Sequence, residues 1–354
     1  MQDRISVRQI CIILVAYNAV LKLLLYPSSM ASACGNALIF PALFNLALQT
    51  AVVWSVAFLS SKTDNTFFGL LEDTFGNVAA RIVFAFFALY FLLNAVVPLS
   101  EEQLFVHDEF YDTIPSLVVF LPFFIFSVYA GSKAFNNAGR CADVCLPIFI
   151  LTMICLFAMT VTECDFSYLL PVLKQPFKEV AGGALSSVFR FADSAPLLMF
   201  MGHYKYKKGD CAKITASYAV GGLIVALFMT MFYAVYGELA PEQPFALGAI
   251  SIFFSAIDLV GRIDLFALYA LNIVVLFAIV LNIQLSRYCL EKTFNTRNRG
   301  ALSLALNAVL LIIVLVFNYR FTLLQNLYSQ WFWIGAAIFA YLIPLLAWTL
   351  RRKS

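Results

Sequence analysis

The chain has 354 residues, of which 62% are hydrophobic and only 12% charged, and its mean hydropathy is +0.88. Soluble domains carry about 45–50% apolar and about 25% charged residues, so this composition excludes a cytosolic enzyme, a nucleic-acid binder and a single-anchor receptor with a large ectodomain. The formal net charge of +3 says less than the placement of the charges.

A membrane span needs about 20 apolar residues, and apolar runs bounded by polar clusters predict ten of them. In chain order they cover Val7 to Met30, Ala37 to Leu59, Val78 to Pro98, Leu117 to Ala130, Ala142 to Val161, Val180 to Met201, Ile214 to Tyr236, Asp264 to Leu285, Ala301 to Phe317 and Trp331 to Leu350. The fourth is short, and the first and sixth are interrupted. Most of the 23 lysines and arginines, including Arg4, Arg8, the run Lys205 to Lys213 and the run Arg287 to Arg299, then fall on one face. Basic loops stay cytoplasmic, so both termini are expected there, as an even number of spans requires. The opposite face gains Glu101, Glu102, Asp108, Glu109 and Asp112 after the third span, read as solvated loop charge. Trp331 and Trp333 read as interfacial anchors.

Arg4, Arg8 and the following apolar stretch imitate a secretion signal, but Lys22 and Tyr26-Pro27 separate that stretch from Ala31-Ser32-Ala33, which argues against cleavage. The eight cysteines form no CxxC pair, and only His107 and His203 accompany them, so the pattern calls for no metal and no cofactor. Cys34 and Cys164 both map to the outer side and could pair, although packing is the default role of a buried cysteine.

Charges and breaks inside spans carry the chemistry, because an ionisable group in hydrocarbon is costly. In the first span Lys22 stands among leucines and Pro27 follows. In the sixth, Gly182-Gly183 leads to Phe191, Arg190 and Asp193 with Ser194, Ala195 and Pro196 behind them. Spans one and six are five apart, and five is odd, so a repeated five-span unit would invert. That is the layout of transporters whose paired broken helices meet at mid-membrane.

Several short stretches resemble a known family. Ile5-Ser6-Val7-Arg8-Gln9 entering the first span, Tyr129-Ala130-Gly131-Ser132-Lys133 with Ala138-Gly139-Arg140, Leu169-Leu170-Pro171-Val172-Leu173, and Arg262-Ile263-Asp264 are similar to the B-subunit permease family of spore germination receptors. That family lies within the amino acid, polyamine and organocation transporter superfamily. The resemblance covers nearly the whole chain. It implies a LeuT-like fold, a nutrient site between spans one, three, six and eight, and partner A and C subunits in a spore inner membrane. The departures are informative. Where such permeases carry small residues before the first-span proline, this chain has Val20-Leu21-Lys22. Arg190 beside Asp193 is not part of the family pattern, and Leu265 to Leu281 holds no serine or threonine to ligate sodium.

The expected architecture is therefore an all-α integral membrane protein of ten transmembrane helices, a LeuT-like 5+5 inverted repeat with residues 1–161 and 178–354 as its halves and with spans one and six broken. Val20, Leu21, Lys22, Phe191, Asp193 and Ser194 are the candidate ligand-binding residues. Pro27, Arg190, Pro196, Arg262 and Asp264 are candidates for structural or gating roles. Lys22 is open to two readings, a structural bridge to Asp193 or a ligand or proton role. Arg190 is expected to snorkel or to pair with Asp193, and Arg262 and Asp264 to anchor a loop. The expected function is a membrane-embedded, permease-like germinant-receptor subunit binding a small nutrient such as an amino acid. The alternatives are a free-standing proton-coupled transporter and a scaffold that has lost its ligand; no pairing of acid, base and nucleophile suggests an enzyme.

Overall fold

The computed structural model describes residues 4–110, 116–171, 175–252, 263–317, 320–327 and 332–350. No strand occurs among the described residues. The helices are α1 (Val7–Val20), α2 (Tyr26–Cys34), α3 (Ile39–Ser60), α4 (Phe67–Phe75), α5 (Asn77–Phe110), α6 (Ser116–Gly131), α7 (Phe135–Thr160), α8 (Phe177–Ser187) and α9 (Ala195–Phe200). They continue with α10 (Asp210–Tyr236), α11 (Ala246–Ser251), α12 (Ile263–Phe294), α13 (Arg299–Phe317), α14 (Phe321–Leu327), α15 (Trp333–Ala336) and α16 (Ile343–Leu350), the last two joined by a π-helical segment, Ala337–Leu342. Six helices among the described residues, α3, α5, α7, α10, α12 and α13, are long and apolar enough to cross a membrane.

Ser6 opens α1. Its hydroxyl accepts from Gln9 N while the Gln9 side chain accepts from Ser6 N, so two free amides are satisfied reciprocally. Helix α1 then stops at Val20, Leu21 to Leu25 are not helical, and Pro27 lies in the first turn of α2. The cause is local. Proline lacks an N–H and its ring crowds the carbonyl four residues back, whereas in a first turn no intrahelical bond is lost. The sixth predicted span divides in the same way. Helix α8 runs into a 3-10 turn, Val188–Phe191, then Ala192 to Ser194 are irregular, and Pro196 lies in the first turn of α9.

The other predicted spans coincide with α3, α5, α6, α7, α10, α12, α13 and the segment α15 to α16, but several helices outrun their apolar runs. Helix α5 continues through Pro98 to Phe110, so Glu101 and Glu102, expected to be solvated, are only 1% and 0% exposed. Helix α12 continues past Leu285, and Arg287, expected in a basic loop, is 2% exposed and pairs with Glu291 at 2.6 Å. In both cases tertiary contacts enclose a charged turn that hydropathy alone reads as outside. The Cys34–Cys164 pairing is not formed, since both cysteines are free thiols. Arg262, Asp112 and Trp331, and the side chains of Glu109, Asp264 and Trp333, lie outside the described residues.

Helix α12 packs along α5, and α10 packs against both α1 and α3, while α8 rests on α2 and α3. This packing brings the α1–α2 break and the α8–α9 break together against α10.

Candidate functional site

Lys22 is buried at the α1–α2 break, 1% exposed. Its ammonium has three donors, and three acceptors meet them: Asn18 O at 2.7 Å, Asn18 Oδ1 at 2.9 Å and Asp193 Oδ2 at 2.7 Å. The Phe191 ring lies beside the same ammonium, its centroid 4.9 Å away. Asp193 Oδ2 also accepts from the Tyr218 hydroxyl of α10 at 3.1 Å, and Asn18 Nδ2 donates to Tyr218 O at 2.7 Å. Lys22, Asn18, Asp193 and Tyr218 thus form a closed ring of bonds linking both breaks to α10. An isolated charge at mid-span costs about 2.5–3.5 kcal/mol on insertion scales; here each charge finds its counter-charge.

A helix break frees carbonyls that hydrocarbon cannot hydrate, and neighbouring side chains take them up at the α8–α9 break. Asn45 of α3 donates to Ala184 O at 3.0 Å, Tyr341 to Val188 O at 3.1 Å and Tyr90 of α5 to Ala192 O at 3.1 Å. The Ser194 hydroxyl donates to Ala340 O at 2.5 Å in the π-helical segment. With its amide oxygen turned toward the break, Gln49 of α3 accepts from Ser194 N at 2.8 Å. At the other break, Leu24 O accepts from Ala246 N of α11 at 3.0 Å.

Arg190 does not pair with Asp193. Its guanidinium lies 2.9 Å from Glu101 of α5. Arg190 lies in the 3-10 turn and Asp193 in the irregular stretch after it, and the sixth segment makes two separate ionic contacts, one to α1–α2 and one to α5. Of the residues expected from sequence, Lys22, Phe191 and Asp193 converge. Val20 ends α1 and is buried, Leu21 packs at the edge of the core, Ser194 starts α9, and Pro27 and Pro196 set the two helix starts. Sequence reading missed Asn18, Gln49 and Tyr218, and took Glu101 for a solvated charge. Asn18 precedes Lys22 by one helical turn, and Asn45 and Gln49 are one turn apart in an apolar run, so spacing carried a signal for these. Nothing in the sequence singles out Tyr218 among 16 tyrosines.

The family described as spore germination protein, a spore permease family, matches residues 4–322. The chain belongs to that family. The match spans both broken segments and the α10 tyrosine, so the ionic ring lies wholly inside the shared region. No curated protein matches this member of the spore germination family.

Proposed function

We propose that this spore germination family member is the permease-like membrane subunit of a germinant receptor and binds a small nutrient, an amino acid, where its two broken segments meet. The proposal includes ten spans arranged as a LeuT-like 5+5 inverted repeat, with A and C subunits as partners in a spore inner membrane. The observation that carries it is the Lys22–Asp193 pair, which joins the α1–α2 break to the α8–α9 break at 2.7 Å.

A zwitterion is the ligand class that suits this pair. All three donors of Lys22 are engaged, so a ligand enters only by separating lysine from aspartate. An amino acid compensates both groups at once, its carboxylate taking Lys22 and its ammonium taking Asp193. A neutral solute would leave both charges buried and unpaired, which costs several kcal/mol. Separation of the pair would also release α8–α9 from α1–α2, and that gives a sensor its signal without solute crossing the membrane.

The test is calorimetric titration of purified protein with single amino acids, followed by uptake of the same compounds into proteoliposomes. Binding lost by at least tenfold in both Lys22→Met and Asp193→Asn, with no uptake, is expected. Uptake at a rate coupled to a proton gradient would replace the sensor by a transporter, and undiminished binding in both variants would remove the site from this pair.

A further inference from the structure

A second polar feature lies away from the broken helices. Helices α5, α6, α7 and α12 border an open cavity of about 640 Å³ lined mostly by apolar side chains, among them Phe120, Phe123 and Phe277. Glu102 of α5 lines it. That carboxylate is fully buried, and both its oxygens lack a hydrogen-bond partner among the described residues; Asn272 Oδ1, also buried and on the cavity wall, lacks one too.

The two residues stand near the same level. Thr293 bonds Arg81 O and Ser286 bonds Ala88 O, which fixes an antiparallel register in which α12 steps back one residue for each step forward in α5. Continued along the pair past Pro98, that register sets Asn272 near the level of Glu102, and both line the cavity. The lysine on the cavity wall, Lys133, makes no ion pair with the glutamate among the described residues. It stacks on Tyr129 at 4.0 Å, and its carbonyl is bonded by Arg287, fifteen positions along α12 from Asn272, about 22 Å at 1.5 Å per residue. Arg190 faces the neighbouring Glu101.

We infer that this cavity is a binding site for a primary ammonium group carried on an apolar body, with the ammonium held by Glu102 and Asn272. Three unpartnered acceptor oxygens on this wall call for donors, and Glu102 in its ionised form calls for a positive charge at this depth. A primary ammonium supplies three donors and the charge in one group; an alcohol lacks the charge and a quaternary amine lacks the donors. The volume suits a ligand of ordinary small-molecule size. Phe126, Ile273 and Tyr129 at the rim are exposed on the apolar exterior, so the entrance faces the bilayer and the ligand is an amphiphile. The site is distinct from the Lys22–Asp193 pair and does not depend on the nutrient reading.

The test uses the full chain in phosphatidylcholine nanodiscs with n-decylamine, n-decanol and decyltrimethylammonium as probes. Decylamine is expected to bind at least tenfold more tightly than either of the others. Glu102→Gln should cut decylamine affinity at least tenfold while leaving decanol unchanged, and Leu276→Trp, which fills the cavity, should abolish binding of all three. Equal affinity for decylamine and decanol in the unaltered protein overturns the site, and that comparison requires no variant to fold. Native mass spectrometry from mixed phosphatidylethanolamine and phosphatidylcholine discs separates the sources. Phosphatidylethanolamine retained by the protein and lost in Glu102→Gln identifies an aminolipid headgroup, whereas decylamine binding with no retained lipid identifies a free amine.

Discussion

At the residue scale the two ion pairs differ in how far the sequence announces them. Lys22 and Asp193 were legible because each is a charge inside an otherwise apolar span, and two such charges in helices expected to meet need each other. Arg190 was misassigned because its partner, Glu101, follows Pro98 where the apolar run ends, and hydropathy places that segment in solvent. The buried pair makes a quantitative prediction. Removing one member of a buried pair strands the other and costs about 3–5 kcal/mol, while removing both costs much less. Thermal unfolding of Lys22→Met, Asp193→Asn and the double variant should therefore show a double loss smaller than the sum of the single losses by at least about 1 kcal/mol. Strictly additive losses would mean that the two charges do not meet.

At the element scale the breaks were readable and the helix ends were not. Pro27 and Pro196 favour helix starts in the first and sixth segments, and the structure starts α2 and α9 within one residue of them, whereas α5, α6 and α7 run on through Pro98, Pro122 and Pro147. By contrast, α4 begins at a Thr66 cap whose hydroxyl accepts from Gly69 N at 3.2 Å and buries only Phe67 and Leu71, too short and too lightly apolar to register as a span. The close approach of α8 to α2 was half legible. Gly182-Gly183 marked a special place, and the structure shows its reason at Gly183, where an added Cβ would run into Cys34 Sγ. Gly183→Ala should therefore destabilise the protein by about 1–3 kcal/mol, the usual cost of overpacking. Combining it with Cys34→Ala, which deletes the sulfur, should restore at least half of that loss. A Gly183→Ala protein that melts with the unaltered chain, or a loss the second change leaves untouched, would show that the contact does not limit the packing of the two broken segments.

At the scale of the whole molecule, the charge pattern read from sequence acquires a spatial counterpart. Arg4, His203, Glu291, Lys292 and Arg299 line one cleft, and Ile5 N bonds His203 O at 3.0 Å, so the N-terminal segment, the α9–α10 loop and the α12–α13 loop converge at one end. Asn36, Tyr168, Gly237 and Glu238 line a cleft formed by a different set of loops, with no lysine or arginine among its lining residues. Burial of Arg287 removes one charge from the basic loops but leaves Lys205, Lys207, Lys208 and Arg297 exposed there. Loop lysines and arginines within about 15–20 residues of span ends set orientation, and the convergence means that these loops cannot be placed on opposite sides without dismantling the fold. The prediction is that the basic end is cytoplasmic. Lys208→Cys and Arg297→Cys, made in a background lacking the exposed native Cys141 and Cys155, should react with an impermeant maleimide only after the membrane is opened, whereas Glu238→Cys should react in intact cells. The reverse labelling would invert the topology. Labelling of Lys208→Cys and Arg297→Cys from different sides would be the more damaging result, since it would contradict the packing that brings the two broken segments together.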